Sequence, residues 1–112
     1  MKLEECFEIA SEFKALYSKL GFTDGGETYI NTYIDQSYSG PCSNIDEYKE
    51  FAVKINNEQI RNVLLNDYNK IDFEWDRFAA NYEPTEIYAK ANVEININGE
   101  IKKINLRLEV YL

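Results

Sequence analysis

At 112 residues, with 45% hydrophobic and 29% charged side chains, the chain has the size and composition of one domain that buries a core without a metal or disulfide staple. It contains no histidine, which removes Ser-His-Asp and Cys-His nucleophilic machinery, histidine-bearing zinc sites and the usual general base near neutral pH. The formal net charge of −8 is the wrong sign for a free-standing nucleic-acid binder, whose phosphate contacts require Lys and Arg.

The charge is unevenly placed. Residues 1–86 hold seventeen Asp/Glu against eight Lys/Arg, a balance of −9, and residues 87–112 hold three against four, a balance of +1. No apolar run approaches the ~20 residues that span a bilayer. The opening Met1-Lys2-Leu3-Glu4-Glu5 lacks the basic start of a secretory signal. The expectation is a cytoplasmic protein without membrane contact. Cys6 and Cys42 match neither a disulfide framework nor a zinc spacing and are expected as free thiols.

In chain order, Leu3, Phe7, Ala10, Phe13, Tyr17 and Leu20 recur at spacings of three and four, which predicts a helix over 3–20. Glu4, Glu5 and Glu8 suit its N-terminal dipole, and Gly21 is a natural stop. Residues 27–38 read as strand or helix: Thr28, Tyr29, Ile30, Thr32, Tyr33 and Ile34 have strand preferences, yet their spacing also fits a helical stripe. A turn follows at Gly40-Pro41. Phe51, Val53 and Ile55 alternate, which predicts a strand over 50–55, although a helix starting at Asp46 is an alternative. Asn56 then caps a second helix, with Gln59 completing a capping box. Its stripe of Ile60, Leu64, Tyr68, Ile71, Trp75, Phe78 and Tyr82 predicts a helix over 57–82, stopped by Pro84.

The last element is a hairpin, 86–97/100–111, turning at Asn98-Gly99. A two-residue type I′ loop pairs Ile87 with Val110, Ala89 with Leu108, Ala91 with Leu106 and Val93 with Ile104, all on one face. Tyr88–Glu109, Asn92–Asn105 and Glu94–Lys103 fall on the other face. The pattern loosens at the tip, residues 97–101, which is a candidate contact site. The fold class is therefore α+β, a single domain over 1–112. An N-terminal helix and a long second helix pack on a small antiparallel sheet that ends in the C-terminal hairpin.

Motifs for chemistry are few. Asp72-Phe-Glu74-Trp-Asp76, with Glu83, has the spacing of a calcium loop, but Arg77 stands where that loop needs glycine. No metal, cofactor or catalytic residue is expected. Val53-Lys54-Ile55-Asn56-Asn57-Glu58-Gln59-Ile60-Arg61 is similar to the first strand–helix junction of barstar-type ribonuclease inhibitors, which are small, acidic and cytoplasmic. The resemblance covers about a tenth of the chain and carries no residues over, because the closing hairpin departs from the parallel-sheet pattern of that family.

Small acidic domains without catalytic machinery include anti-defence inhibitors, of anti-CRISPR or anti-restriction type, and toxin-immunity proteins. The expectation is a protein-binding inhibitor that blocks a basic, nucleic-acid-handling partner such as a nuclease, without itself touching nucleic acid. The expected partner-binding residues are Glu4, Glu8 and Glu12 on the first helix, Tyr33, Asp35 and Tyr38 in the Tyr-rich segment, and Asp72, Glu74 and Asp76. Whole-duplex mimicry is excluded: a Glu4–Glu8–Glu12 ridge carries one charge per ~6 Å of helix rise, against ~1.7 Å in duplex DNA. Two alternatives remain. One is a small-ligand binder or histidine-free enzyme with a pocket between helices and sheet; the other is an oligomer pairing through a strand edge.

Overall fold

A computed structural model describes residues 1–20, 28–33, 37–76 and 86–111. The first helix, α1 (Leu3–Lys19), forms as its periodicity predicts and buries Leu3, Cys6, Phe7 and Ala10. Leu20 closes it, its N–H donating to the Leu16 carbonyl at 3.1 Å. The ambiguous segment 27–38 is not one element: its described residues belong to two strands, and residues 27 and 34–36 lie outside the described residues. β1 (Thr28–Tyr33) pairs antiparallel with β2 (Ser37–Pro41), so the expected turn at Gly40-Pro41 is instead the end of a strand.

The predicted strand over 50–55 is a helix, α2 (Ile45–Val53). Its start lies at Asn44, whose Oδ1 accepts from the Glu47 N–H at 2.9 Å. The buried residues Tyr48, Phe51, Ala52 and Ile55 follow the helical period, while Val53, central to the alternation, is 55% exposed. This also removes the barstar-like junction, since Val53 ends a helix and Lys54 begins a turn.

The long helix over 57–82 is the second correction. α3 runs only over Glu58–Asn66 and is capped by Asn57, not Asn56; the Asn57 Oδ1 accepts from the Gln59 and Ile60 N–H groups at 3.0 and 3.1 Å. A 3-10 turn (Tyr68–Lys70) follows, and the chain then extends into β3 (Glu74–Trp75). Ile71 and Phe73 are both buried, the period-two signature of extended chain. The remainder of the predicted helix, from residue 77 onward, lies outside the described residues.

β4 (Glu86–Ile97) and β5 (Glu100–Tyr111) form the hairpin in the predicted register, from Ile87–Val110 to Ile97–Glu100. Asn98 and Gly99 both have positive φ, 53° and 88°, as a type I′ turn requires. The Gly99 N–H donates to Asn96 Oδ1 at 2.9 Å.

The five strands make one antiparallel sheet in the order β2-β1-β5-β4-β3. Its inner face carries Thr28, Ile30 and Thr32 of β1, Ala89, Ala91 and Ile95 of β4, and Ile104, Leu106, Leu108 and Val110 of β5, all buried. The helices cover that face. Cys6, Tyr48, Phe51, Leu64 and Phe73 join the same core, and Ala10 and Phe13 of α1 pack with Ile87, Val110 and Trp75. The molecule is thus a single α+β domain of two layers, with the other sheet face turned to solvent. Among the described residues, no helix is long and apolar enough to cross a membrane.

Candidate functional site

The nine residues expected to bind a partner do not converge on one patch. Glu4, Glu8 and Glu12 are all exposed on α1 and, at intervals of four, form one ridge along it. The same interval continues to Leu16 and Leu20, which are 51% and 58% exposed. Each four-residue step turns about 40° round the axis, so Leu16 continues the acidic ridge, whereas Leu20, the C-cap, lies well round the helix from Glu4 and is exposed although the apolar stripe predicts its burial.

Tyr33, 43% exposed, lies on the solvent-facing side of the sheet. Tyr38 alternates to the other side and packs half-buried against the core, so it is structural along most of its ring. Asp35 lies outside the described residues. Asp72 is exposed and pairs with the amino group of Met1. That contact holds the Asp72 carboxyl below its ordinary value and the amino group above its own. A second bond anchors the same strand, as the Phe73 N–H donates to the Met1 carbonyl at 2.8 Å.

Glu74 and Asp76 belong to the solvent-facing side of the sheet. Glu74 stands opposite Lys90 in the ladder. Asp76 accepts from the Tyr88 hydroxyl at 2.7 Å and lies 3.6 Å from Lys90 Nζ. Its carboxylate is therefore engaged within the fold.

A cluster that sequence reading missed sits beside it. Glu109 is buried at 8% exposure on an otherwise open face because Tyr29 of β1 and Tyr88 of β4 flank it in the register. The Tyr111 hydroxyl donates to Glu109 at 2.8 Å, Tyr29 and Tyr111 meet edge-to-face at 5.7 Å, and the Arg107 guanidinium stacks 4.3 Å from the Tyr88 ring centre. The hairpin register alone placed Tyr88 opposite Glu109. The second tyrosine arrives through β1, about 80 positions away in the chain, which no local pattern reveals.

Among the described residues, two hollows stand out. One, of about 190 Å³, lies on the open face between Tyr33, Lys90, Asn92, Asn105 and Arg107. Its cations are offset locally, Lys90 by Asp76 and Arg107 by Glu109 at 3.9 Å. The other, of about 210 Å³, lies between β2 and α2. The second hollow thus opens between a helix and the sheet at its β2 edge, while Tyr48, Leu64, Phe73 and Leu106 pack together deeper in the core.

The titratable groups in that interior are held neutral. Burial pushes the Cys6 thiol up to about 11 and the Cys42 thiol to about 12, and raises the Tyr48 hydroxyl above its ordinary value. Both cysteines are free and buried. Lys14, on the flank of α1, is lowered by burial against the opposing pull of the Glu47 carboxylate. Among the described residues, no group of three or more cysteine or carboxylate side chains is placed to hold a metal ion.

No protein-family model, no curated protein and no solved structure matches this chain.

Proposed function

We propose that this protein binds a basic protein partner and blocks it, as an inhibitor of anti-defence or toxin-immunity type, with the ridge of α1 as the contact. The observation that carries the reading is the ridge of exposed Glu4, Glu8 and Glu12 on one side of α1, with exposed Leu16 one step beyond Glu12. Exposed carboxylates speed and orient the encounter with a positive surface. Leu16 supplies apolar area that a partner's pocket desolvates. A nucleic-acid-handling protein fits this chemistry, because its phosphate-binding surface concentrates Lys and Arg. Asp72 and Asp76, already paired within the fold, are not part of that contact.

The test is affinity capture from a bacterial lysate at low and high salt, comparing the protein with a Glu4→Gln/Glu8→Gln/Glu12→Gln variant. The expected result is a strongly basic protein retained at low salt, released at high salt, lost with the variant, and impaired in its own nucleic-acid binding or cleavage while held. Retention unaffected by the triple substitution refutes the ridge as the contact. Binding of metabolites with no basic protein retained refutes the inhibitor reading.

A further inference from the structure

The sheet ends on β2, and among the described strands only β1 pairs with it. The ladder identifies which backbone groups face outward. The Cys42 N–H donates to the Thr28 carbonyl at 2.7 Å, and the register that sets Tyr29 opposite Pro41 sets Thr28 opposite Cys42. That makes Thr28–Cys42 a hydrogen-bonded pair, and antiparallel alternation assigns Ile30–Gly40 and Thr32–Tyr38 to the same class. The N–H and C=O groups of Ser37 and Ser39, and the C=O of Pro41, therefore point away from the sheet. Proline fits here because its missing N–H lies on the side where the ladder needs none.

Natural sheets blunt an outer edge with shortness, charge, proline or bulges, and the proline of β2 stands at its end, Pro41. The opposite edge strand, β3, is two residues long. β2, Ser-Tyr-Ser-Gly-Pro, is longer and carries no charged side chain. Beside it, α2 returns along the strand after a three-residue connection. Gly40 sits under Phe51, so closely that a Cβ there would lie 3.1 Å from the ring. Glu47, Glu50, Phe51 and Lys54, spaced three, four and seven residues along the helix, line the hollow with Ser39, Gly40 and Pro41. The helix flank along this edge is thus acidic at one end and basic at the other.

We propose that the β2 edge is a self-association site, at which a second copy of this chain adds its own β2 antiparallel about a twofold axis at Ser39. The two Ser39 residues exchange N–H···O bonds, and each Ser37 N–H donates to the second copy's Pro41 carbonyl. That uses every outward donor on the edge. The same axis runs the two α2 helices antiparallel, so the Glu47–Glu50 end of one groove faces the Lys54 end of the other. A surface that carries complementary charges at its two ends is matched by its own copy, as an isologous interface requires. The inference is independent of the α1 ridge and stands or falls apart from it.

The test is sedimentation velocity of the intact protein from micromolar to millimolar concentration, with Ser39→Pro, Glu50→Lys and Lys54→Glu variants. A dimer is expected for the parent chain. Ser39→Pro removes the central donor without touching the β1 ladder, so it weakens association at least tenfold while circular dichroism stays unchanged. Glu50→Lys and Lys54→Glu each weaken it alone, and an equimolar mixture of the two restores it, because every lysine again meets a glutamate. A chain that stays monomeric throughout overturns the proposal. So does a dimer that Ser39→Pro leaves intact, or a mixture no more associated than its components.

Discussion

Replacing Tyr48 with phenylalanine isolates one buried hydrogen bond. The Tyr48 hydroxyl is fully buried and donates to the Leu64 carbonyl at 2.7 Å. Leu64 belongs to the last turn of α3, whose final four carbonyls have no partner within the helix. Val63 is served by the Asp67 N–H, and Leu64 is served by α2 through this hydroxyl. Tyr48→Phe keeps the ring, its burial and its edge-to-face contact with Tyr68 at 5.7 Å. It leaves the carbonyl dry and unpaired, at a cost of about 1–2 kcal/mol. An unfolding entropy of about 2.1 cal/mol/K per residue, over this length, makes that a fall of roughly 4–9 °C in Tm. Thermal denaturation followed by circular dichroism measures it, and amide exchange in the last turn of α3 is expected to accelerate. Tyr68→Phe, which removes the hydroxyl of a half-buried residue, serves as control with an expected change of at most about 0.5 kcal/mol. A Tyr48→Phe protein with the parent Tm refutes the assignment of this bond as the clamp between α2 and α3.

Stability is expected to fall in alkali. The Cys6 and Cys42 thiols remain neutral in the fold up to about 11 and 12, while in the unfolded chain they ionise near 9.0. Their contribution is therefore fully present below pH 9 and is lost as pH rises towards 11–12, at about 1.4 kcal/mol per thiol per pH unit. Denaturant midpoints measured from pH 8 to 11 check the trend, and a flat profile refutes it. Thr32 is 1% exposed with a buried hydroxyl that finds no hydrogen-bond partner among the described residues. Thr32→Val is accordingly expected to stabilise by about 1 kcal/mol in urea denaturation, and a loss of stability would show that the hydroxyl is satisfied.

What the sequence disclosed depended on how local the determining contact is. The hairpin register follows from two residues, Asn98 and Gly99, that only one turn type suits, and from eight apolar positions that agree with it. α1 follows from an uninterrupted stripe. Phe51, Val53 and Ile55 satisfy a strand pattern by residue type and so point away from α2, which the alternative of a helix starting at Asp46 matches. The deciding signal was the Asn44 cap, six residues before that window began. The stripe overstates α3, because Tyr68, Ile71 and Trp75 keep a helical spacing although the chain has left the helix. There the clue was Phe73, buried but off the stripe. Of the expected contact residues, Glu4, Glu8 and Glu12 needed only helical geometry to be placed together. Asp72 and Asp76 could not be judged from sequence, since their partners, Met1 and Tyr88, come from distant segments.

The strand order has a kinetic consequence. β5 is the last of the five strands in chain order and the middle one of the sheet, flanked by β1 and β4. Its pairing with β4 closes a two-residue loop and forms on the microsecond scale. Its pairing with β1 must first bring together segments separated by most of the chain, an entropic cost met late. During synthesis, β1 and β2 therefore emerge long before the strand they rest against, and the inner face of that early hairpin stays uncovered. The ribosome must have made β5 before the sheet can close, so a chain cut within β5 forfeits the whole domain rather than one edge of it.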